Sequence, residues 1–461
     1  MAFLNTLLDA VKDTLVVTSG GVEQLPFLLV WVVFPASLLF LLAFTFVSSR
    51  LNRRATFETV LAAFAAFFAL FAFVLYPLRE TLTPAAFCDS LAAALPPGLA
   101  GAVACLRTWY YSLFYVCAEL WGDVVLSLLF WGLANDTTSM PEATVLYPLF
   151  GIGANVAQTS AGLALRGLGA AAAAATPDAD AAWGLQLRVV CALTVGGCFG
   201  LMALHGWILR RAQAAGTATG AAAGAPAAVR AATPPPNLRD SLAAVASSPQ
   251  IRCLATCALA QGVAQTLLDF AWKGHLRALR PSPAGYAAYM GDVATATGVT
   301  TVLLMLLSSS LFARLGWRGA AGLLPRVLFF GGALFFGGAL LVDRVAPAQV
   351  PGLLPWVVLT GACLFVLSKA TKYSLFKPAE ETVYLRLGEA ERTRGKAVVD
   401  VVANQAGKSG GSLFVQGSLL AFAGSAVHTL PLMLLAFLAC AAGWMRAIDR
   451  LADVHEQKQM V

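Results

Sequence analysis

The sequence predicts an all-α polytopic membrane protein, on three observations. Hydrophobic residues make up 59% of the 461-residue chain, and its mean hydropathy is +0.74. Charged residues make up only 12%, about half of what a soluble chain of average composition carries. The apolar residues fall in runs of about 20, the length a helix needs to cross about 30 Å of hydrocarbon. The net charge of +7 is dispersed through short loops, so membrane topology accounts for it and no nucleic-acid partner is expected.

Taken in order, the chain opens on MAFLNTLLDAVKDTLVVT, which is too short for a full span and is broken by Asp9, Lys12 and Asp13. It lacks the basic start and small-residue cleavage site of a signal peptide and is not read as one. Full spans are expected at about 27–48, 57–78, 109–133, 145–166, 185–208, 250–271, 288–312, 319–342, 352–369, 398–422 and 426–446, with the opening segment a short additional helix, about 12 in all. Residues 210–249 are rich in Ala, Gly, Pro and Thr and contain Pro234-Pro235-Pro236. Such composition cannot bury a core and reads as a flexible cytoplasmic linker. It divides the chain into an N-terminal transmembrane half, 1–209, and a C-terminal one, 250–461. Two six-helix halves joined by a long loop suggest a major-facilitator-like arrangement, with a site at the midplane between them. A cytoplasmic amino terminus places Arg50, Arg53, Arg54, Arg210, Arg211, Arg314 and Arg318 on one side, as the positive-inside rule requires.

Against this apolar background the stretch Ser368–Ser412 is the densest in charge. Lys396, Asp400 and Lys408 fall where an apolar segment has already begun, and ionisable groups at that depth usually face a watery pathway. Lys12, Glu119 and Asp269 are likewise embedded in apolar segments. Each costs at least about 2.5–3.5 kcal/mol near the bilayer centre unless it meets water or a partner. Gly407, Gly410 and Gly411 flank Lys408 and are expected to let the helix backbone approach a ligand closely.

Soluble-enzyme signatures fail. Gly407-Lys408-Ser409 resembles the end of a phosphate-binding loop, but that loop needs a glycine where Val402 stands, and no strand precedes it. His205, His275, His428 and His455 are far apart, and the nine cysteines form no CxxC pair. No metal, cofactor or catalytic constellation is expected, and the chain is not read as an enzyme.

Seven segments, in order, give the chain a resemblance over nearly its whole length: VKDTLVVTSGG with LPFLLVWVVFP, FVLYPLRETLTP, AELWGDVVLSLLFWGLAN, YPLFGIGANVAQ, AWKGHLRALRPSPAGYAAYMGDVATATG, KYSLFKPAEETVYLRL, and RGKAVVDVVANQAGKSGG. It resembles the ATP/ADP translocases, the nucleotide transporters of plastid envelopes and obligate intracellular bacteria. The resemblance implies a twelve-span exchanger of nucleotides, its important residues matching Lys12, Glu119, Asp269, Lys396, Lys408 and Asn155. Asp269 replaces the family's glutamate. The family has a further apolar stretch ahead of KDTLVVT, so Lys12 is expected on a shortened helix. Where the family usually reads KYSLFDPxKE this chain has Lys377 and Glu380, with the two signs exchanged. No transit peptide precedes the first span, and a plastid envelope is the expected membrane from the family, a bacterial or other cellular membrane the alternative.

A nucleoside triphosphate carries three to four negative charges, and one unit-charge pair at about 4 Å is worth about 4 kcal/mol at an effective dielectric of 20. Two or three lysines are therefore needed, and Lys12, Lys408 and Lys396 are the candidates for binding phosphate. Glu119 and Asp269 are expected to pair with these lysines in the empty site and to couple binding to conformational change. Asn155 is the candidate reader of the base edge, with stacking from Tyr147, Phe150 or Trp109. The expected activity is exchange of ATP for ADP, in a lipid bilayer and by a monomer. An ion-coupled nucleotide importer, or a carrier of another phosphorylated anion, remains the alternative.

Overall fold

The structure is a computed structural model describing residues 1–138, 140–214, 248–344, 352–385, 387, 395–396 and 398–457. Among these residues there is helix and no strand. The first half carries α1 (Ala2–Gly20), α2 (Gln24–Arg50), α3 (Arg53–Leu75), α4 (Trp109–Asn135), α5 (Met140–Ala175) and α6 (Ala179–Ala214). After the linker come α7 (Pro249–Leu279), α8 (283–315), α9 (317–344), α10 (Leu353–Tyr384), α11 (398–421) and α12 (Ala426–Gln457). Helices α8 and α9 are separated only at Gly316, whose φ of 67° and ψ of 179° break the helix without a Cβ penalty. Short helices at Arg79–Leu82 and Ala85–Ala94 lie between α3 and α4. Most of the expected linker, residues 215–247, lies outside the described residues.

Among the described residues eight elements, α8 and α9 counting as one continuous element, are long and apolar enough to cross a membrane. The others are α1, α5 and α11. Trp31, Leu39, Phe46, Phe73, Phe199, Phe330, Leu334 and Trp356 point their apolar surfaces outward, as lipid contact requires. Two expectations change. Helix α1 runs unbroken through Asp9, Lys12 and Asp13 for 19 residues, about 28 Å, because those charges find partners inside the protein. Helix α10 continues fifteen residues past its expected end, because Leu375, Phe376, Ala379, Val383 and Tyr384 form a buried stripe at helical spacing.

The two sets of helices meet along two seams. In one, α5 and α8 approach so closely that a Cβ on Gly162 would stand 2.3 Å from the Gly291 carbonyl oxygen, and one on Gly298 would stand 2.6 Å from that of Asn155. Arg166 and Asp292 form an ion pair across the same seam at 2.6 Å. In the other, Trp31 Nε1 donates to Gln416 Oε1 at 3.0 Å, and Gln416 Nε2 donates to the Pro26 carbonyl at 2.8 Å. Both seams lie toward the end of the molecule that carries the α1–α2 and α11–α12 turns. The arginines at 50, 53, 54, 314 and 318 sit on the helix ends that flank the turns at the opposite end.

Candidate functional site

Between the helix sets lies a cavity of about 470 Å³, lined from α1, α2, α4, α5, α7, α8, α10 and α11. The three helices with the weakest apolar runs all contribute to it, because each gives one face to polar groups and only the rest to lipid or core. Nine charged side chains line the cavity: Lys12, Lys273, Lys369, Lys372, Lys408, Asp9, Asp13, Glu119 and Asp269. They separate into two groups.

The first group is internally paired. Asp9, Lys12 and Asp13 share one stripe of α1 at helical spacing. The Lys12 ammonium donates to Asp9 Oδ1 and to Glu119 Oε1, each at 2.6 Å, and sits 5.2 Å from the Tyr115 ring centroid. Asn5 Nδ2 donates to the other Asp9 oxygen at 3.1 Å. One turn further along α1, Asp13 pairs with Lys273 of α7 at 2.8 Å. Lys12 is 6% exposed and Lys273 7%, but the side chains of Asp9 and Glu119 are 49% and 29% exposed, so only the Asp13–Lys273 pair is desolvated at both ends. Removing one partner of such a pair typically costs about 3–5 kcal/mol, since the other charge is stranded. Asp269 was expected to pair with a lysine. Its Oδ1 instead accepts from Gln265 Nε2 at 2.7 Å, and Gln265 Oε1 accepts from Ser368 Oγ at 3.1 Å. Lys273, a turn away on the same helix, is drawn to Asp13 across the seam.

The second group has no carboxylate partner among the described residues. Lys369 lies 5.4 Å from the Phe365 centroid and Lys372 5.6 Å from that of Tyr373. Phe365 in turn stacks on the buried Trp272 at 5.2 Å. A cation over an aromatic face gains about 0.5–2 kcal/mol, whereas a close charge pair at a dielectric of 20 is worth about 4 kcal/mol. These rings hold the ammonium groups without neutralising them. Lys372 begins a widened π turn, Lys372–Phe376, which keeps it and Lys369 toward the cavity. Lys408 of α11 is solvent-exposed in the cavity.

Of the residues expected from the sequence, Lys12, Lys408, Glu119, Asp269 and Asn155 all line this cavity. Lys396 is not brought there: its ammonium lies 2.7 Å from the Glu381 carboxylate and 5.6 Å from the Tyr384 centroid. Tyr147, Phe150 and Trp109 are also elsewhere, and the rings that line the cavity belong to Tyr115, Phe270, Phe365 and Tyr373. Two of the three glycines beside Lys408 serve helix packing: Gly407 meets α7 at Leu259 and Gly262, and Gly411 meets it at Thr266 and Val263, whereas a Cβ on Gly410 would meet nothing within 4 Å. Asn155 Nδ2 donates to the Gly151 carbonyl at 2.8 Å. The exchanged signs at Lys377 and Glu380 preserve a salt bridge, at 2.8 Å.

A bundle with a lipid-facing apolar exterior and a charged cavity between two helix sets defines a membrane transporter. The family model described as "TLC ATP/ADP transporter" matches residues 1–455, and the chain belongs to that family. It is similar to "ADP,ATP carrier protein 1, chloroplastic" of Arabidopsis thaliana, 38% identical over 454 residues, covering 97% of this chain and 71% of that one. It is also similar to "ADP,ATP carrier protein 1" of Chlamydia pneumoniae, 37% identical over 461 residues, covering 98% and 88%. Among solved structures, a bacterial homologue of the iron transporter ferroportin in an inward-facing state aligns with a TM-score of 0.58 at 14% identity, over 97% of this chain and 96% of that one. That likeness bears on the fold, which is major-facilitator-like.

Proposed function

We propose that this protein exchanges ATP for ADP across a membrane, by alternating exposure of the cavity between its two helix halves. The observation that carries the reading is the cavity itself, bounded by both helix sets and furnished with five lysines and four carboxylates. Such a furnishing suits a polyanion that must leave water. Lys408 and Asn155 are the proposed contacts for phosphate and base. Lys12, held between Asp9 and Glu119, acts with Glu119 and Asp269 in the step that resets the empty carrier. The working unit in this reading is a monomer in the bilayer, in a plastid envelope by analogy with the Arabidopsis relative.

Exchange follows from the same charges. A cavity that must rearrange without its polyanion leaves surplus cations poorly solvated, so reorientation of the empty carrier is slow. Uptake of labelled ATP into liposomes is therefore expected to be several-fold faster with ADP inside than with buffer inside. Equal rates would replace exchange with ion-coupled or facilitated import, and competition by other phosphorylated anions in the same assay would redefine the substrate.

A further inference from the structure

The five cavity lysines are of two kinds, and only one kind is available to a ligand. Lys12 and Lys273 are buried and ion-paired. Lys369, Lys372 and Lys408 have no carboxylate partner among the described residues, and all three line the same cavity. Three like charges gathered on the wall of a cavity are unfavourable in the empty protein. A multivalent anion placed among them relieves that repulsion and meets each ammonium in a charge-assisted hydrogen bond.

We propose that Lys369, Lys372 and Lys408 together form the seat for the terminal phosphates of the nucleotide, and that this trio, more than Lys12, makes affinity depend on the number of phosphates. The proposal rests on the nucleotide-exchange reading and deepens it by naming two residues, Lys369 and Lys372. Lys369 and Lys372 are three residues apart and share one face of α10, while Lys408 approaches from α11. Phe365 and Tyr373 beneath the first two keep the ammonium groups aimed without spending their charge. Among the other charged groups of the cavity, Asp9, Asp13, Glu119 and Asp269 outnumber Lys12 and Lys273 by two. A polyphosphate is repelled from those carboxylates and drawn to the trio, which favours one direction for the nucleotide. Its uncharged base then points away from the lysines, toward the neutral polar groups of α5 and α8, among them Asn155, Gln158 and Thr297.

The test is equilibrium binding of ATP, ADP and AMP to the full-length protein in lipid nanodiscs. Lys369→Gln and Lys372→Gln are expected to weaken ATP about tenfold, ADP about threefold and AMP less than about twofold, since each charge contact removed from the terminal phosphates is absent in AMP. Lys372→Arg, which keeps the charge, should retain most of the ATP preference. The same graded loss in Lys408→Ala would place all three residues in one seat. A uniform loss across the three nucleotides in folded Lys369→Gln and Lys372→Gln proteins overturns the proposal while leaving exchange intact. Failure of the unmodified protein to bind ATP or ADP sinks the exchange reading, and this seat with it.

Discussion

Two groups of lysines face one cavity and are built in opposite ways. Lys12 and Lys273 are desolvated, each fixed at 2.6–2.8 Å to carboxylates that are reached across helix boundaries. Lys369, Lys372 and Lys408 rest on rings or stand in the open cavity, unneutralised. The difference separates two tasks that a lysine can perform in a membrane protein. A paired lysine ties helices together and stores an alternative arrangement of the pair. An unpaired one keeps its charge for a ligand. Pairing makes a lysine structural even inside a binding cavity, so position alone does not define a contact.

Breaking the paired group should have the largest effect. Lys12→Gln leaves Asp9 and Glu119 close together without their cation, and since both carboxylates reach solvent a loss of about 1–3 kcal/mol in stability is expected. Thermal unfolding of the purified protein measures it. Adding Glu119→Gln should recover most of the loss, and a Lys12→Gln protein as stable as the unmodified one would erase the distinction between the two groups.

A smaller, more selective effect sharpens the comparison. Glu119→Gln and Asp269→Asn are expected to lower the exchange rate several-fold while ATP affinity stays within about twofold, because neither carboxylate is placed to meet phosphate. Rate and affinity falling together would move these acids into the ligand contact.

The smallest effect is expected at the seam. Arg166 and Asp292 pair at 2.6 Å, but their side chains are 64% and 48% exposed. A pair so solvated is worth about 0.2–1 kcal/mol. Arg166→Asp should therefore change the exchange rate by only a few-fold, and the added Asp292→Arg should restore it. An irreparable loss would show that the seam depends on these residues for more than their charge.

How much of this was legible depended on whether a signal was local. Helices read as apolar runs, and charges that interrupt such runs led directly to Lys12, Glu119, Asp269 and Lys408, all of which line the cavity. Lys369 and Lys372 were hidden because the hydropathy signal of α10 fades at residue 369. What continues the helix is a buried stripe from Leu375 to Tyr384, and its polar companions mask it in any window average. Lys396 lies away from the cavity for the opposite reason: its sequence neighbourhood looks membrane-embedded, yet Glu381, fifteen residues earlier, is folded back within reach. The Asp13–Lys273 pair joins residues on helices 260 positions apart, a relation no spacing can announce.

The backbone contact of α5 with α8 has a mechanical consequence. The helices touch there through backbone and the short side chains of Thr159 and Thr295, and in the proposed exchange the halves would rock about this contact. From Gly162 to the far end of α5 at Met140 is 22 residues, a lever arm of about 33 Å. A rocking motion of about 15°, the size seen between rotating subunits elsewhere, sweeps that far end through about 9 Å. Such a rocking would turn one close contact into a displacement close to the width of a whole helix, and the arm's length, set by where the glycines fall along α5, would set how far the far end swings.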